Sequence, residues 1–131
     1  MKLVIIESPF AGKGDTDEER AKNTERNKRY LARCVRDCVL RGESPYASHR
    51  MLTSALDDMN PDERKLGIEA GFAWREVADA TVVYTDHGIS PGMEEGIKNA
   101  RAEAWFRSFR ANRDQAHLIE YRSIGAEPDA A

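Results

Sequence analysis

Cysteine is scarce in this sequence, which has only Cys34 and Cys38 among its 131 residues. Two thiols four residues apart do not make a CxxC pair, and no further cysteine is present to complete a zinc-binding set, so we expect no metal site. On a helix, both cysteines would share an apolar stripe with Leu31 and Val35. The sequence therefore predicts two small core side chains in a reducing compartment.

Long hydrophobic runs and an excess of positive charge are also lacking. No apolar run approaches the length of a membrane span, and Met1 and Lys2 lead directly into an apolar segment rather than a signal peptide. The 20 basic and 23 acidic residues give a formal net charge of −3, which argues against a nucleic-acid-binding surface. We expect a cytoplasmic protein with neither a membrane nor a nucleic-acid partner.

The composition of the chain is that of a folded domain. It is 40% hydrophobic and 33% charged, which excludes a disordered chain, and its length suits one domain with a substantial core. We place that single domain at residues 1–124 and expect residues 125–131 to form a flexible C-terminal tail.

Apolar strands alternate with helical segments along the domain. The predicted strands are 3–6, 44–47, 80–85 and 117–121, and the predicted helices are 23–40, 60–77 and a third that starts at Ser90 and extends past Phe109. Residues 51–61 are expected to be an irregular crossover. This alternation predicts an α/β, Rossmann-like (flavodoxin-like) three-layer sandwich with a four- to five-stranded parallel sheet.

The carboxyl ends of the first three strands would meet at one edge of such a sheet, where α/β proteins bind ligands. Polar and aromatic side chains follow each strand at this edge. Ser90 and Pro91 resemble an N-cap and a first helical position, which places Glu94 in the first turn of the last helix. The candidate ligand-binding residues at this edge are Ser8, Phe10, Tyr46, Ser48, His49, Asp86, Ser90, Gly92 and Glu94.

Each candidate also has a structural interpretation. First-turn carboxylates such as Glu94 are common because the helix dipole favours them. Asp86 could cap a turn or bind sugar hydroxyls. His49 has a pKa suited to acid–base chemistry but could be an ordinary surface histidine, and the rings of Phe10 and Tyr46 could either stack on a base or pack internally.

Two short glycine patterns need separate consideration. A GxExG pattern occurs at residues 67–71 and again at 92–96, but only the second follows a strand and a helix cap. The sequence Gly12-Lys13-Gly14 lacks the spacing of a phosphate-binding P-loop. Residues 11–21 are better interpreted as a charged surface loop, with a role as a lid left open.

The segment GISPGMEEGIKNA resembles the strand-to-helix segment of the nucleoside 2-deoxyribosyltransferases and the 2'-deoxynucleoside 5'-monophosphate N-glycosidases, and VIIESPFAG is similar to their first strand and loop. Over residues 4–102 the chain also resembles a group of small phage and actinobacterial proteins in that superfamily. The resemblance is carried there by ESPFAG, ERNKRYLARCVRDCVLRGESPYASH, ERKLGIEAGFAW and ADATVVYTDHGISPGMEEGI.

The resemblance implies a nucleoside deoxyribosyltransferase-like domain without a cofactor, in which Glu94 is the nucleophile and Asp86 binds the sugar. It places Ser8 and Phe10 near the sugar and base, Ser90 and Gly92 near a 5'-phosphate, and Asn27 within reach of the site. The function implied is cleavage or transfer of an N-glycosidic bond. One alternative is a non-catalytic protein that binds a nucleotide-derived ligand, for example a signalling nucleotide sequestered by a phage. Another is a relative that shares only the fold and has lost the site.

The last helix carries two apolar stripes, one with Met93 and Ile97 and one with Trp105 and Phe109. A helix that is apolar on two sides usually has two packing partners. We therefore expect a homo-oligomer, most simply a two-fold dimer.

Overall fold

The computed structural model describes residues 1–109 and 116–127. Strands and helices alternate along this part of the chain, except that two helices follow the second strand. In chain order the elements are β1 (Lys2–Glu7), α1 (Asp17–Leu40), β2 (Glu43–Tyr46), α2 (Ser48–Ala55), α3 (Pro61–Arg75), β3 (Ala80–Tyr84), α4 (Pro91–Ser108) and β4 (Leu118–Arg122).

The strands form one parallel sheet in the order β2-β1-β3-β4. The predicted α/β, Rossmann-like fold with a parallel sheet is therefore confirmed, with four strands in the described residues. Strand β1 is central, and its apolar residues Val4, Ile5 and Ile6 are buried. Glu7 at the end of β1 pairs with Val83 of β3, so the carboxyl ends of these two strands lie side by side.

Each face of the sheet has its own core. Alternate residues of β1 and β3, including Val4 and Val82, pack under α1 against Cys34 and Cys38. Both cysteines are free and fully buried, which confirms their predicted role as core side chains. On the opposite face, the smaller core joins β3 to α4 and β4 through Val83, Met93, Ile97 and Ile119.

Helix α4 begins as the sequence predicts. Ser90 is the N-cap and its Oγ accepts a hydrogen bond from the Met93 backbone N–H at 3.2 Å, while Pro91 occupies the first helical position. The helix ends at Ser108, and Phe109 is its C-cap. The predicted continuation beyond Phe109 lies outside the described residues.

One predicted helix start and one predicted irregular segment are wrong. Helix α1 begins at Asp17 rather than Asn23, because Thr16 caps it by accepting a hydrogen bond from Glu19 N at 3.1 Å and three acidic residues favour the first turn. The segment predicted to be an irregular crossover at 51–61 instead contains most of α2, Ser48–Ala55. These segments have little apolar periodicity because most of their side chains are exposed.

The loop before α1 folds back along that helix. The Gly12 N–H donates to Thr24 Oγ1 at 2.9 Å, and Arg20 Nη1 donates to the carbonyl of Gly14 at 2.9 Å. A Cβ at Gly12 would lie 2.1 Å from the carbonyl oxygen of Arg20, so only glycine permits this approach. The prediction of a loop over 11–21 therefore holds only up to Thr16, and that loop is attached to α1.

Buried polar contacts secure the edge strands. His117 lies before β4, where its Nδ1 contacts the Ala78 carbonyl at 3.1 Å and its Nε2 contacts Thr81 Oγ1 at 2.8 Å. At the other end of β4, Arg122 forms a bidentate ion pair with Glu43 of β2, with both N···O distances 2.7 Å. These hydrogen bonds lower the pKa of Glu43.

The two stripes of α4 have different environments. Met93 and Ile97 are buried against the sheet, whereas Trp105, Phe106 and Phe109 are 60%, 59% and 70% exposed. The Trp105 and Phe109 rings contact each other with centroids 4.6 Å apart. The outer stripe is thus an exposed aromatic surface, and the homo-oligomer stays a prediction. None of the helices in the described ranges is long and apolar enough to cross a membrane.

Candidate functional site

Ser8, Phe10 and His49 come together where β1 ends and α2 begins. The Ser8 hydroxyl and His49 Nε2 are 2.9 Å apart, and the Phe10 ring lies edge-on to the imidazole with centroids 6.0 Å apart. Ser8 is buried, with 5% of its surface exposed. These three residues, here called the rim cluster, confirm the expected convergence of the first and second strand ends.

Burial determines the charge of the rim cluster. It lowers the pKa of His49 from 6.5 to about 4, because a charged imidazolium is poorly solvated there. His49 is therefore neutral near pH 7, and its ring can accept a hydrogen bond from Ser8 or donate one to it. A hydroxyl paired with a neutral imidazole can relay a proton. A histidine with so low a pKa is nevertheless a weak base, and its protonated form, which would act as the acid, is little populated near pH 7.

Next to this cluster, Glu7 forms a buried ion pair with Arg75 of α3. Arg75 Nη2 lies 3.1 Å from Glu7 Oε2, and the two side chains are 3% and 13% exposed, respectively. Arg75 Nη1 also donates to the Gly96 carbonyl and to Asn99 Oδ1, both at 2.8 Å. Burial raises the pKa of Glu7 to about 7, more than the Arg75 charge lowers it. Glu7 therefore titrates near neutral pH.

Gly96 allows α4 to approach this ion pair. A Cβ at Gly96 would lie 2.2–2.4 Å from the carboxyl atoms of Glu7. The second glycine of the GxExG pattern in α4 thus has a packing role. In the other copy of the pattern, a Cβ at Gly71 would lie 2.9 Å from Ser48 Oγ, so that glycine lets α3 pack closely against α2.

The first turn of α4 presents Glu94 to solvent. Its side chain is exposed, and its carboxylate makes no hydrogen bond or ion pair within the described residues. Gly92 is also exposed, and a Cβ there would approach only Ser90 Oγ, at 4.0 Å. The turn therefore combines an accessible carboxylate with an open backbone at the positive end of a helix dipole.

Asp86 is engaged by the segment that follows β4. Its Oδ1 accepts hydrogen bonds from Ser123 Oγ at 2.6 Å and from Gly125 N at 2.9 Å. Its Oδ2 accepts from the Tyr30 hydroxyl at 2.5 Å and from Ile124 N at 3.0 Å. Although burial opposes ionisation, these hydrogen bonds lower the pKa of Asp86. A carboxylate has about four acceptor positions, so a sugar hydroxyl would have to displace one of these donors.

The contacts of Asp86 extend into the segment that was expected to form a flexible tail from Gly125. Three consecutive residues, 123–125, donate to its carboxylate, and Glu127 pairs with Arg29 at 2.7 Å. The chain is therefore attached to α1 and to the end of β3 as far as Glu127. The remaining part of the expected tail, 128–131, lies outside the described residues.

Three other candidates have structural contacts. Asn27 is buried, and its Nδ2 donates to the Phe10 carbonyl at 3.0 Å. It therefore holds the backbone of the rim cluster at Phe10. The Tyr46 ring packs on Trp74 with centroids 5.0 Å apart. Ser48 packs against Gly71 at the start of α2. The ligand-binding roles of Tyr46 and Ser48 stay predictions.

The candidates thus form three groups along one edge: the rim cluster, the first turn of α4 and the Asp86 anchor. No group of three His, Cys, Asp or Glu side chains in the described ranges could hold a metal ion. This edge offers hydrogen-bonding, proton-transferring and carboxylate groups, which suit a polar organic ligand.

Comparison with known sequence families gave one result for this chain. A family model described as "Domain of unknown function (DUF7768)" matches residues 2–107. The chain belongs to this family. A search of curated proteins and a search of solved structures each gave no match.

The DUF7768 match extends from β1 almost to the end of α4. It includes the rim cluster, the ion pair of Glu7 with Arg75, and Glu94. It excludes β4 and the segment that donates to Asp86. The rim cluster and the first turn of α4 are therefore parts of the family domain, whereas the Asp86 contacts are completed by residues beyond the match.

Sequence reasoning missed Glu7 and Arg75. The available signal was a carboxylate at the end of an otherwise apolar central strand, because a charge there requires a partner or a shifted pKa. It also missed Tyr30, whose hydroxyl donates to Asp86 and accepts from the Asp86 N–H at 3.1 Å. No local pattern indicates this contact, which joins residues 56 positions apart.

Proposed function

We propose that this protein cleaves or transfers the N-glycosidic bond of a (deoxy)nucleoside or its 5'-monophosphate, with Glu94 as the nucleophile. The observation that carries the proposal is the exposed carboxylate of Glu94 on the first turn of α4, which has no partner in the part of the chain that the structure describes. The adjacent Glu95 is instead paired with Lys98 at 3.3 Å. Glu94 is therefore available to a ligand at the edge where β1 and β3 end.

The proposed reaction requires a carboxylate at the anomeric carbon. As the bond from C1' to the base nitrogen breaks, its electron pair leaves with the base and the sugar gains oxocarbenium character. A Glu94 oxygen then forms an ester with C1'. Attack of water on this ester gives hydrolysis, and attack of a second base gives transfer.

The surrounding groups provide the other interactions that this reaction needs. The open backbone at Gly92 and the helix N-terminus suit a 5'-phosphate. The leaving base needs a hydrogen-bond donor, and the hydroxyl of Ser8, backed by neutral His49, supplies one. Because the pKa of His49 is about 4, this histidine acts through hydrogen bonding rather than as the acid that protonates the base near pH 7.

A second candidate function is non-catalytic binding of a nucleotide-derived ligand. It is favoured by the contacts of Asp86, which leave its carboxylate no free acceptor for a sugar hydroxyl. In this case the same edge binds the ligand but does not hold the sugar for attack.

Base release distinguishes the two functions. Purified protein is incubated with a panel of deoxynucleosides, ribonucleosides and their 5'-monophosphates, and free base is measured by chromatography. We expect release with at least one compound, a loss on the order of 10³-fold or more in Glu94→Gln, and near wild-type release in the matched control Glu95→Gln. Intact-protein mass spectrometry should detect a sugar adduct that Glu94→Gln lacks.

Two results would overturn the catalytic proposal. Equal release by Glu94→Gln and Glu95→Gln would show that Glu94 is not the nucleophile. Nucleotide binding without release of base by the wild-type protein would support the non-catalytic alternative.

A further inference from the structure

A second group of polar side chains lies on the α1 side of the sheet, apart from the rim cluster. Arg26, Tyr30, Arg33, His87 and Glu127 surround a cavity of about 60 Å³, here called the arginine cradle. We propose that the arginine cradle binds a phosphate-type oxyanion, and that the Glu127 carboxylate competes with this ligand. The proposal is independent of the glycosidic activity.

The arginine cradle contains a guanidinium N–H that has no hydrogen-bond partner within the described residues. Arg26 Nε is buried and has no hydrogen-bond partner within the described residues, although its Nη2 donates to Asn27 Oδ1 at 3.1 Å. Arg33 Nη2 donates to the carbonyls of Ile124 and Ala126, both at 3.2 Å. These acceptors are neutral, and neither arginine forms an ion pair with a carboxylate of residues 1–109 or 116–127. A buried donor without an acceptor is costly, and an oxyanion would satisfy it.

Glu127 lines the cradle, and its carboxylate is bound by Arg29, which lies beside the cradle on α1. Its Oε1 lies 2.7 Å from Arg29 Nε and its Oε2 lies 3.4 Å from Arg29 Nη2. This paired geometry is the one in which guanidinium groups bind carboxylates and phosphates. Arg29 is one helical turn from both Arg26 and Arg33, so the three cations line the same side of α1.

The Glu127 carboxylate can leave without detaching its segment. The side chains of Arg29 and Glu127 are 55% and 44% exposed, and such exposed ion pairs contribute little to stability. The segment is held independently by the contacts of Asp86 with Ile124 and Gly125. A ligand with more negative charge than a carboxylate can therefore replace Glu127 at the cradle.

The size of the cradle restricts the ligand class. One water needs about 10–15 Å³ of such volume, so the cavity holds about four to six water-sized atoms, which matches a tetrahedral oxyanion. The His87 and Tyr30 rings form one wall, with centroids 4.5 Å apart. Burial and the positive charges of Arg26 and Arg33 lower the pKa of His87, which a bound anion would reverse.

Calorimetric titration of the full chain with inorganic phosphate tests the proposal. We expect Glu127→Gln to bind phosphate about 2- to 5-fold more tightly than the matched control Glu25→Gln. Glu25 lies on the same helix and pairs with Lys28 at 3.2 Å, away from the cavity. Arg26→Ala should weaken binding about tenfold, with a thermal melt to confirm that it is folded.

Titration with a nucleoside 5'-monophosphate and with the nucleoside separates the sources of the phosphate group. Similar affinity for phosphate and the monophosphate indicates a free oxyanion, whereas tighter binding of the monophosphate that Arg26→Ala weakens indicates a phosphorylated ligand in the cradle. By NMR, phosphate should raise the pKa of His87. The proposal is wrong if phosphate leaves that pKa unchanged, if Glu127→Gln and Glu25→Gln bind alike, or if folded Arg26→Ala binds as the wild type does.

Discussion

Replacing Gly96 by alanine should destabilise the protein through a side chain that lies 89 positions earlier in the chain. The new methyl carbon would lie 2.2 Å from Glu7 Oε2, whereas ordinary van der Waals contact begins at 3.4 Å. Either the carboxylate or α4 must therefore shift by roughly 1 Å. Glu7 is paired with buried Arg75 at 3.1 Å, so a shift of its carboxylate also loosens that ion pair.

The expected cost of Gly96→Ala follows from opposing contributions. Overpacking costs about 1–3 kcal/mol, and loosening the ion pair adds part of the roughly 3–5 kcal/mol that breaking it would cost. Alanine recovers about 1 kcal/mol through its higher helix propensity. We expect the free energy of unfolding to fall by about 2 kcal/mol.

Urea denaturation measures this change against two controls. Gly92→Ala makes the same substitution in the same helix, where the nearest atom to the new Cβ is 4.0 Å away, so it should leave the free energy of unfolding unchanged or raise it by up to about 1 kcal/mol. In a Glu7→Ala background, Gly96→Ala should no longer lower the free energy of unfolding. The packing argument is refuted if both glycine variants are equally stable, or if the cost persists without the Glu7 carboxylate.

Three further predictions concern pH, the C-terminal segment and assembly. Glu7 has a pKa of about 7 in the fold and 4.5 ordinarily, so the folded state holds its proton more tightly and stability falls as pH rises through this range. His49 has a pKa of about 4 in the fold and 6.5 ordinarily, so its effect is the opposite. Between these values the unfolded state binds more protons, and stability therefore rises with pH. Glu7→Gln removes the falling contribution, so stability between pH 4.5 and 6.5 should rise more steeply with pH than in the wild type, by up to about 3 kcal/mol in urea titrations; an unchanged slope would show that Glu7 is not buried as described. Asp86→Asn should speed amide hydrogen exchange of Ile124 about tenfold, since acceptor positions are lost, and unaltered protection would contradict the anchoring role. Light scattering at micromolar concentration should give a dimer that Trp105→Ser converts to a monomer, because that ring is 60% exposed on an aromatic surface; a monomeric wild type would count against this interface.

The sheet was predictable because its strands carry strong local signals. Val4, Ile5 and Ile6 form a β-branched run that is buried on both faces, as expected of a central parallel strand. The start of α4 was equally clear, since Ser90 and Pro91 provide a cap and a first-turn proline. In these segments the side chains that fix the local structure are neighbours in sequence.

The features that sequence reasoning missed are of two kinds: helical segments with exposed side chains, and contacts between residues far apart in the sequence. The first turns of α1 and the whole of α2 have mainly exposed or partly exposed side chains, so no apolar periodicity marks them. The ion pair of Glu7 with Arg75 joins residues 68 positions apart and is built only when α3 packs against β1. For the candidate site, sequence reasoning therefore predicted the edge of the sheet and the start of α4. It did not predict the buried ion pair of Glu7 with Arg75.

The ion pair between Arg122 and Glu43 spans the sheet from one border to the other. Border strands of an open sheet ordinarily fray independently, since each is held by a single neighbour. Here loss of β4 would leave the partly buried Glu43 without its counterion, and loss of β2 would do the same to Arg122. The two borders are thereby coupled, so β4 helps to hold β2 in the sheet.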